Sequence, residues 1–75
     1  MSDIKTIDAR GLSCPQPVLL VQAAIRNVEY STIRVLVDSG AAKDNVTRMA
    51  QKSGCSTETQ EQPDGVIRIT LTRKG

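Results

Sequence analysis

The chain has 75 residues, 39% of them hydrophobic and 24% charged, with a formal net charge of +2, and it is read as one domain over residues 1–75 with a single core. Tyr30 is the only aromatic residue and histidine is absent, which removes imidazole catalysis, histidine metal ligation and a Cys-His nucleophile within the chain. Two cysteines cannot close a four-thiolate zinc site, and one ring with so slight a positive charge disfavours a nucleic-acid platform, so no metal, cofactor or nucleic acid is expected.

Punctuation divides the chain into six short elements. Ile4 to Ala9 reads as a strand, Arg10-Gly11-Leu12-Ser13 as a turn, and Cys14-Pro15-Gln16-Pro17 opens a helix running to about Val28. At 100° per residue, Val18, Val21, Ala24, Ile25 and Val28 form a core stripe, with Leu19, Ala23 and Arg26 on the other side. Thr32 to Asp38 alternates Ile33, Val35 and Val37 with Arg34 and Leu36, a strand with one face buried. Ser39 can cap a second helix whose apolar positions are Ala42, Val46, Met49 and Ala50, and Gly54 ends it as a left-handed cap. Cys55 to Glu61 is a weaker strand, and Pro63-Asp64-Gly65 turns into Val66 to Thr72, whose Ile67, Ile69 and Leu71 alternate with polar residues. The order βαβαββ predicts an α+β fold: a two-layer α/β sandwich in which a right-handed crossover makes the first two strands parallel. Two helices then cover one face of a mixed four-stranded sheet.

Asp3, Lys5, Asp8 and Arg10 interrupt the first 20 residues, and no signal peptide or membrane span fits. Secreted domains of this size usually carry four or more cysteines, so two point to free thiols in a reducing cytoplasm.

Only Cys14-Pro15-Gln16-Pro17 demands a special explanation. Prolines in the first turn of a helix forfeit no hydrogen bond, and Pro15 at the first helical position leaves Cys14 at or next to the N-cap. There the positive end of the helix dipole favours an anionic sulfur, and Arg10 lies four residues upstream to add positive charge. The bland reading is a small hydrophobe tucked at a helix start. A reactive thiol without histidine, metal or cofactor can still attack a sulfur donor, hold the product and surrender it to another thiol. Redox catalysis would call for a resolving thiol close by, as in Cys-x-x-Cys, which is missing.

The run Asp-Ala-Arg-Gly-Leu-Ser-Cys-Pro-Gln-Pro-Val-Leu, with Asp8, Gly11, Leu12, Cys14, Pro15 and Pro17, resembles the TusA (SirA-like) sulfur-carrier family and its Cys-Pro-x-Pro signature. The likeness covers nearly the whole chain, including an Asp38 after the second strand and a glycine closing the second helix. It implies that Cys14 accepts sulfur as a persulfide from a cysteine desulfurase or rhodanese and passes it to a thiol-bearing acceptor protein, with Arg10, Gly11, Pro15 and Pro17 as supporting motif residues. Recipients in such families include tRNA thiolation relays, molybdenum-cofactor assembly and sulfur or selenium metabolism. Asn45-Val46-x-Arg48-x-Ala50 and Gly54 look closest to the YedF-like branch, which implies a DsrE-like acceptor, whereas Glu29-Tyr30-Ser31 departs from the Pro-Gly often found there.

Other residues read more simply. Cys55 fits a small half-buried strand position, Asp8 and Asp38 fit turn or cap roles, and Thr72-Arg73-Lys74 reads as a solvated tail. The outward side of the first helix, centred on Leu19 and Arg26 with Gln16 at the rim and Leu20 nearby, is the expected docking face. The alternative from another functional class is a small RNA- or protein-binding regulatory module, since compact βαβαββ domains also occur there; one aromatic and no Gly-x-x-Gly loop stand against it.

Overall fold

Alternation of branched apolar and polar residues builds the sheet. In the computed structural model, which describes residues 3–12, 16–27 and 30–73, the elements are β1 (Asp3–Asp8), α1 (Gln16–Arg26), β2 (Tyr30–Val37), α2 (Gly40–Lys52), β3 (Cys55–Glu61) and β4 (Ile67–Arg73). The strands lie in the order β1-β2-β4-β3, with β1 parallel to β2 and the other pairs antiparallel. The two inner strands are those with three buried apolar residues each, Ile33, Val35 and Val37 on β2 and Ile67, Ile69 and Leu71 on β4. On β3 only Cys55 is buried, and that strand takes an edge. In register, Ile7 stands beside Val35 and Val35 beside Ile69, so apolar side chains form one continuous inner surface.

Both helices lie on that surface, giving the two-layer α+β sandwich expected from the order βαβαββ. In α1 the buried residues are Pro17, Val21, Ala24 and Ile25. The core stripe therefore begins at Pro17, one residue earlier than the apolar periodicity predicts; Val18 packs only partly against the core, and Val28 lies outside the described residues. Pro17 belongs to the first turn, where its missing N–H costs nothing, so its ring is free to serve the core. Helix α2 follows expectation closely: the Ser39 hydroxyl accepts the Ala42 N–H at 3.2 Å, Val46 and Ala50 are buried, and Gly54 follows the helix at φ 88°. Among the described residues no helix is long and apolar enough to cross a membrane.

The ends of the elements depart from the sequence reading in one informative place. Arg73 is not part of a solvated tail but the last residue of β4, one past the expected end at Thr72, while Lys74 lies outside the described residues; β2 begins at Tyr30, two residues before the expected start. Backbone pairing sets both ends, Arg73 with Cys55 of β3 and Tyr30 with Asp3 of β1, and the junction is reinforced by the Arg73 side chain. Its guanidinium donates to the Tyr30 carbonyl at 2.6 Å, to the Asn27 carbonyl at 2.7 Å and to the Ile25 carbonyl. These acceptors include carbonyls at the C-terminal end of α1, which have no intrahelical donor, so one cation closes the helix end onto the start of β2. Replacing Arg73 by Met should lower stability by about 2 kcal/mol, the worth of charge-assisted bonds at a half-buried site, with Arg73→Lys recovering only part. Urea titration checks this, and a wild-type midpoint for Arg73→Met would show that the clamp adds nothing.

Candidate functional site

Parallel pairing sets the C-terminal ends of β1 and β2 side by side, so the loop into α1 and the loop into α2 meet. The Ala9 N–H extends the ladder by donating to the Leu36 carbonyl at 2.8 Å, and Ala9 is buried. Beyond it the chain turns sharply. The Asp8 carboxylate accepts the Arg10 backbone N–H at 3.2 Å and both Nε and Nη2 of the Arg10 guanidinium at 2.8 Å, a bidentate pair across two residues. From the neighbouring loop, Asp38 Oδ2 accepts the Gly11 N–H at 2.9 Å. Gly11 sits at φ 77°, where an L side chain is strained although a Cβ would meet nothing within 4 Å; the constraint is conformation, not space.

Asp8 and Asp38 thus have the turn roles their positions suggested, and together they fix the segment that leads into Cys14. Ser13, Cys14 and Pro15 lie outside the described residues. On the far side of them, Gln16 opens α1 and the fully buried Pro17 anchors its first turn to the core. The described residues on either side of positions 13–15 are therefore held in place, the earlier ones through carboxylate bonds and Pro17 through packing.

Electrostatics follow from the same contacts. The Arg10 guanidinium and then its backbone N–H, both bonded to Asp8, hold the Asp8 carboxyl down at about 2, and Asp8 raises Arg10 in return. Hence the positive charge that the sequence assigns to Arg10 is largely balanced by a neighbouring carboxylate. The other cysteine, Cys55, is a free thiol buried among core residues at 4% exposure. Among the described residues no three of Cys, Asp and Glu converge to hold a metal ion.

Of the expected docking residues, the structure gathers two. Gln16 and Leu19 line a shallow groove of about 400 Å³ with Leu12 and Leu20, and Leu19 is 56% exposed. Arg26 is exposed at the last turn of α1 and does not line this groove. Leu12 is the member that sequence reasoning missed as a surface residue; the signal was an apolar side chain in a turn, outside the alternation of any strand.

The chain matches the family described as "Sulfurtransferase TusA" over residues 5–73. It is 31% identical over 70 residues to an Archaeoglobus fulgidus protein named "Putative sulfur carrier protein", covering 91% of each chain. The crystal structure of a SirA-like protein from Desulfitobacterium hafniense superposes with a TM-score of 0.86 at 33% identity, over 97% of this chain and all of that one. This chain belongs to the TusA sulfurtransferase family.

A carboxyl lowered in the folded state adds stability above its ordinary pKa of ~3.9, and for Asp8 that contribution is lost as pH falls through about 2. The Asp8–Arg10 tie is therefore complete throughout the neutral range. The Asp8 carboxyl carbon resonance should titrate with a midpoint of about 2, and Arg10→Gln should raise it towards ~3.9. A native midpoint already near ~3.9 would contradict the pairing.

Proposed function

We propose that this TusA family member is a persulfide carrier in which Cys14 takes sulfane sulfur from a cysteine desulfurase or rhodanese and hands it to a thiol-bearing acceptor protein, including a DsrE-like one, in the cytoplasm. In the first step the Cys14 thiolate attacks the terminal sulfur of the donor's persulfide. A new sulfur–sulfur bond forms at Cys14, the donor's own sulfur–sulfur bond breaks, and the donor cysteine leaves as a thiolate. In the second step an acceptor thiolate attacks the terminal sulfur on Cys14, which leaves as a thiolate in turn. No external oxidant or reductant enters, because each exchange breaks one sulfur–sulfur bond and makes another.

The observation that carries this reading is the burial of Cys55. The chain has two cysteines, and with one of them in the core, transfer falls to Cys14. Sequence adjacency adds support, since Cys14 precedes the first described residue of α1 by two positions, close to the end whose dipole favours anionic sulfur. The Leu12, Gln16, Leu19 and Leu20 groove, built from residues on both sides of Cys14 in sequence, offers successive partners a small apolar contact. A carrier that must release each partner is better served by a few anchors than by a large interface. RNA binding gains no matching observation: the single aromatic, Tyr30, is half-buried with the Lys5 ammonium 5.9 Å from its ring centre.

Incubation with a cysteine desulfurase and cysteine should add one sulfur atom, removable by reductant, to the native chain and to Cys55→Ser but not to Cys14→Ser. Intact-protein mass spectrometry reads all three. Equal loading of Cys14→Ser would refute the assignment.

A further inference from the structure

The four large hydrophobic side chains exposed among the described residues, Ile4, Leu12, Leu19 and Leu20, all belong to β1, to the loop after it or to α1. β1 is also an edge strand. Because the Ala9 N–H bonds to β2, the alternation of a parallel ladder turns the N–H and C=O groups of Ile4, Thr6 and Asp8 away from β2, towards the open edge. Alongside that edge runs a second groove of about 370 Å³, lined by Lys5, Ile7, Leu20, Ala23, Asn27 and Tyr30. It shares Leu20 with the groove of Leu12, Gln16 and Leu19, so an apolar path continues from Leu12 along α1. The opposite edge differs: β3 is polar from Ser56 to Glu61 and carries Glu58 and Glu61.

We propose that the β1 edge takes an extended segment of the partner that exchanges sulfur with Cys14, added as a fifth strand, with an apolar side chain in the groove and a carboxylate at Lys5. The inference rests on the carrier reading and names the form of its partner's contact. Backbone bonds to Ile4, Thr6 and Asp8 supply affinity without regard to sequence, while the groove and Lys5 supply selectivity. Among the described residues Lys5 is the only charged side chain lining this groove, so charge complementarity calls for an acidic residue on the helix-facing side of the added strand.

The probe is a capped hexapeptide alternating valine and threonine around one central glutamate, added to isotope-labelled Cys14→Ser protein so that sulfur chemistry plays no part. The amides of Ile4, Thr6 and Asp8 should shift and exchange more slowly. Lys5→Glu should weaken binding about tenfold and turn the preference to a lysine-bearing peptide, and Ala23→Trp, which fills the groove from an exposed position, should abolish it. No response at millimolar peptide, or shifts confined to Leu12 and Leu19, would overturn the proposal. So would protection of the β1 edge that rises with protein concentration alone, the mark of a second copy. Failure of the carrier reading shows separately, as absence of sulfur gain on the native Cys14.

Discussion

Parallel pairing of β1 with β2 is the constraint on which the rest of the structure depends. Antiparallel neighbours would place the end of β1 beside the start of β2, whereas parallel ones set both C-terminal ends together. Only then can Asp38, the residue after β2, reach the Gly11 N–H after β1 at 2.9 Å, across 27 positions of sequence. That carboxylate bond, the Asp8–Arg10 pair and the left-handed Gly11 define one turn, and the buried Pro17 defines the start of the helix beyond it. Cys14 falls in sequence between these two fixed points.

This arrangement separates stability from chemistry. The core is aliphatic throughout, built from Ile, Val, Leu and Ala with Cys55 among them. Leu12, Leu19, Leu20 and Ile4 remain exposed although the chain has few large apolar side chains to spare. Their common location on the β1 and α1 half is what a docking function would demand. The charge of Arg10 is mostly balanced by Asp8, so in the carrier reading the activation of Cys14 draws on the helix terminus more than on this arginine.

Much of this was legible in the sequence, for identifiable reasons. Ile33, Val35 and Val37 on β2 and Ile67, Ile69 and Leu71 on β4 alternate without interruption, and Ser39 with Gly54 brackets α2, so local rules sufficed. The strand order was not readable, because it depends on which strands supply the most buried surface, a comparison across the whole chain. Arg73 looked like part of a charged tail because its acceptors, the carbonyls of Ile25, Asn27 and Tyr30, lie more than forty residues away. For the same reason the Asp38 to Gly11 bond could be anticipated only as a generic turn role. The docking face was half legible: helical spacing pairs Leu19 with Arg26 along α1, but the groove forms where Leu12 of the preceding loop meets Gln16, Leu19 and Leu20, a meeting set by tertiary structure.

In the carrier reading, the Asp38 bond to Gly11 positions the residues that lead towards Cys14 for sulfur exchange. The most direct test of this positioning is the rate constant for sulfur acceptance by Asp38→Ala from a desulfurase, measured beside the hydrogen exchange of the Gly11 amide. The account predicts faster exchange at Gly11 and acceptance slowed about tenfold through lost positioning, with a stability cost of only about 1 kcal/mol. Acceptance at the native rate while the Gly11 amide exchanges freely would contradict it.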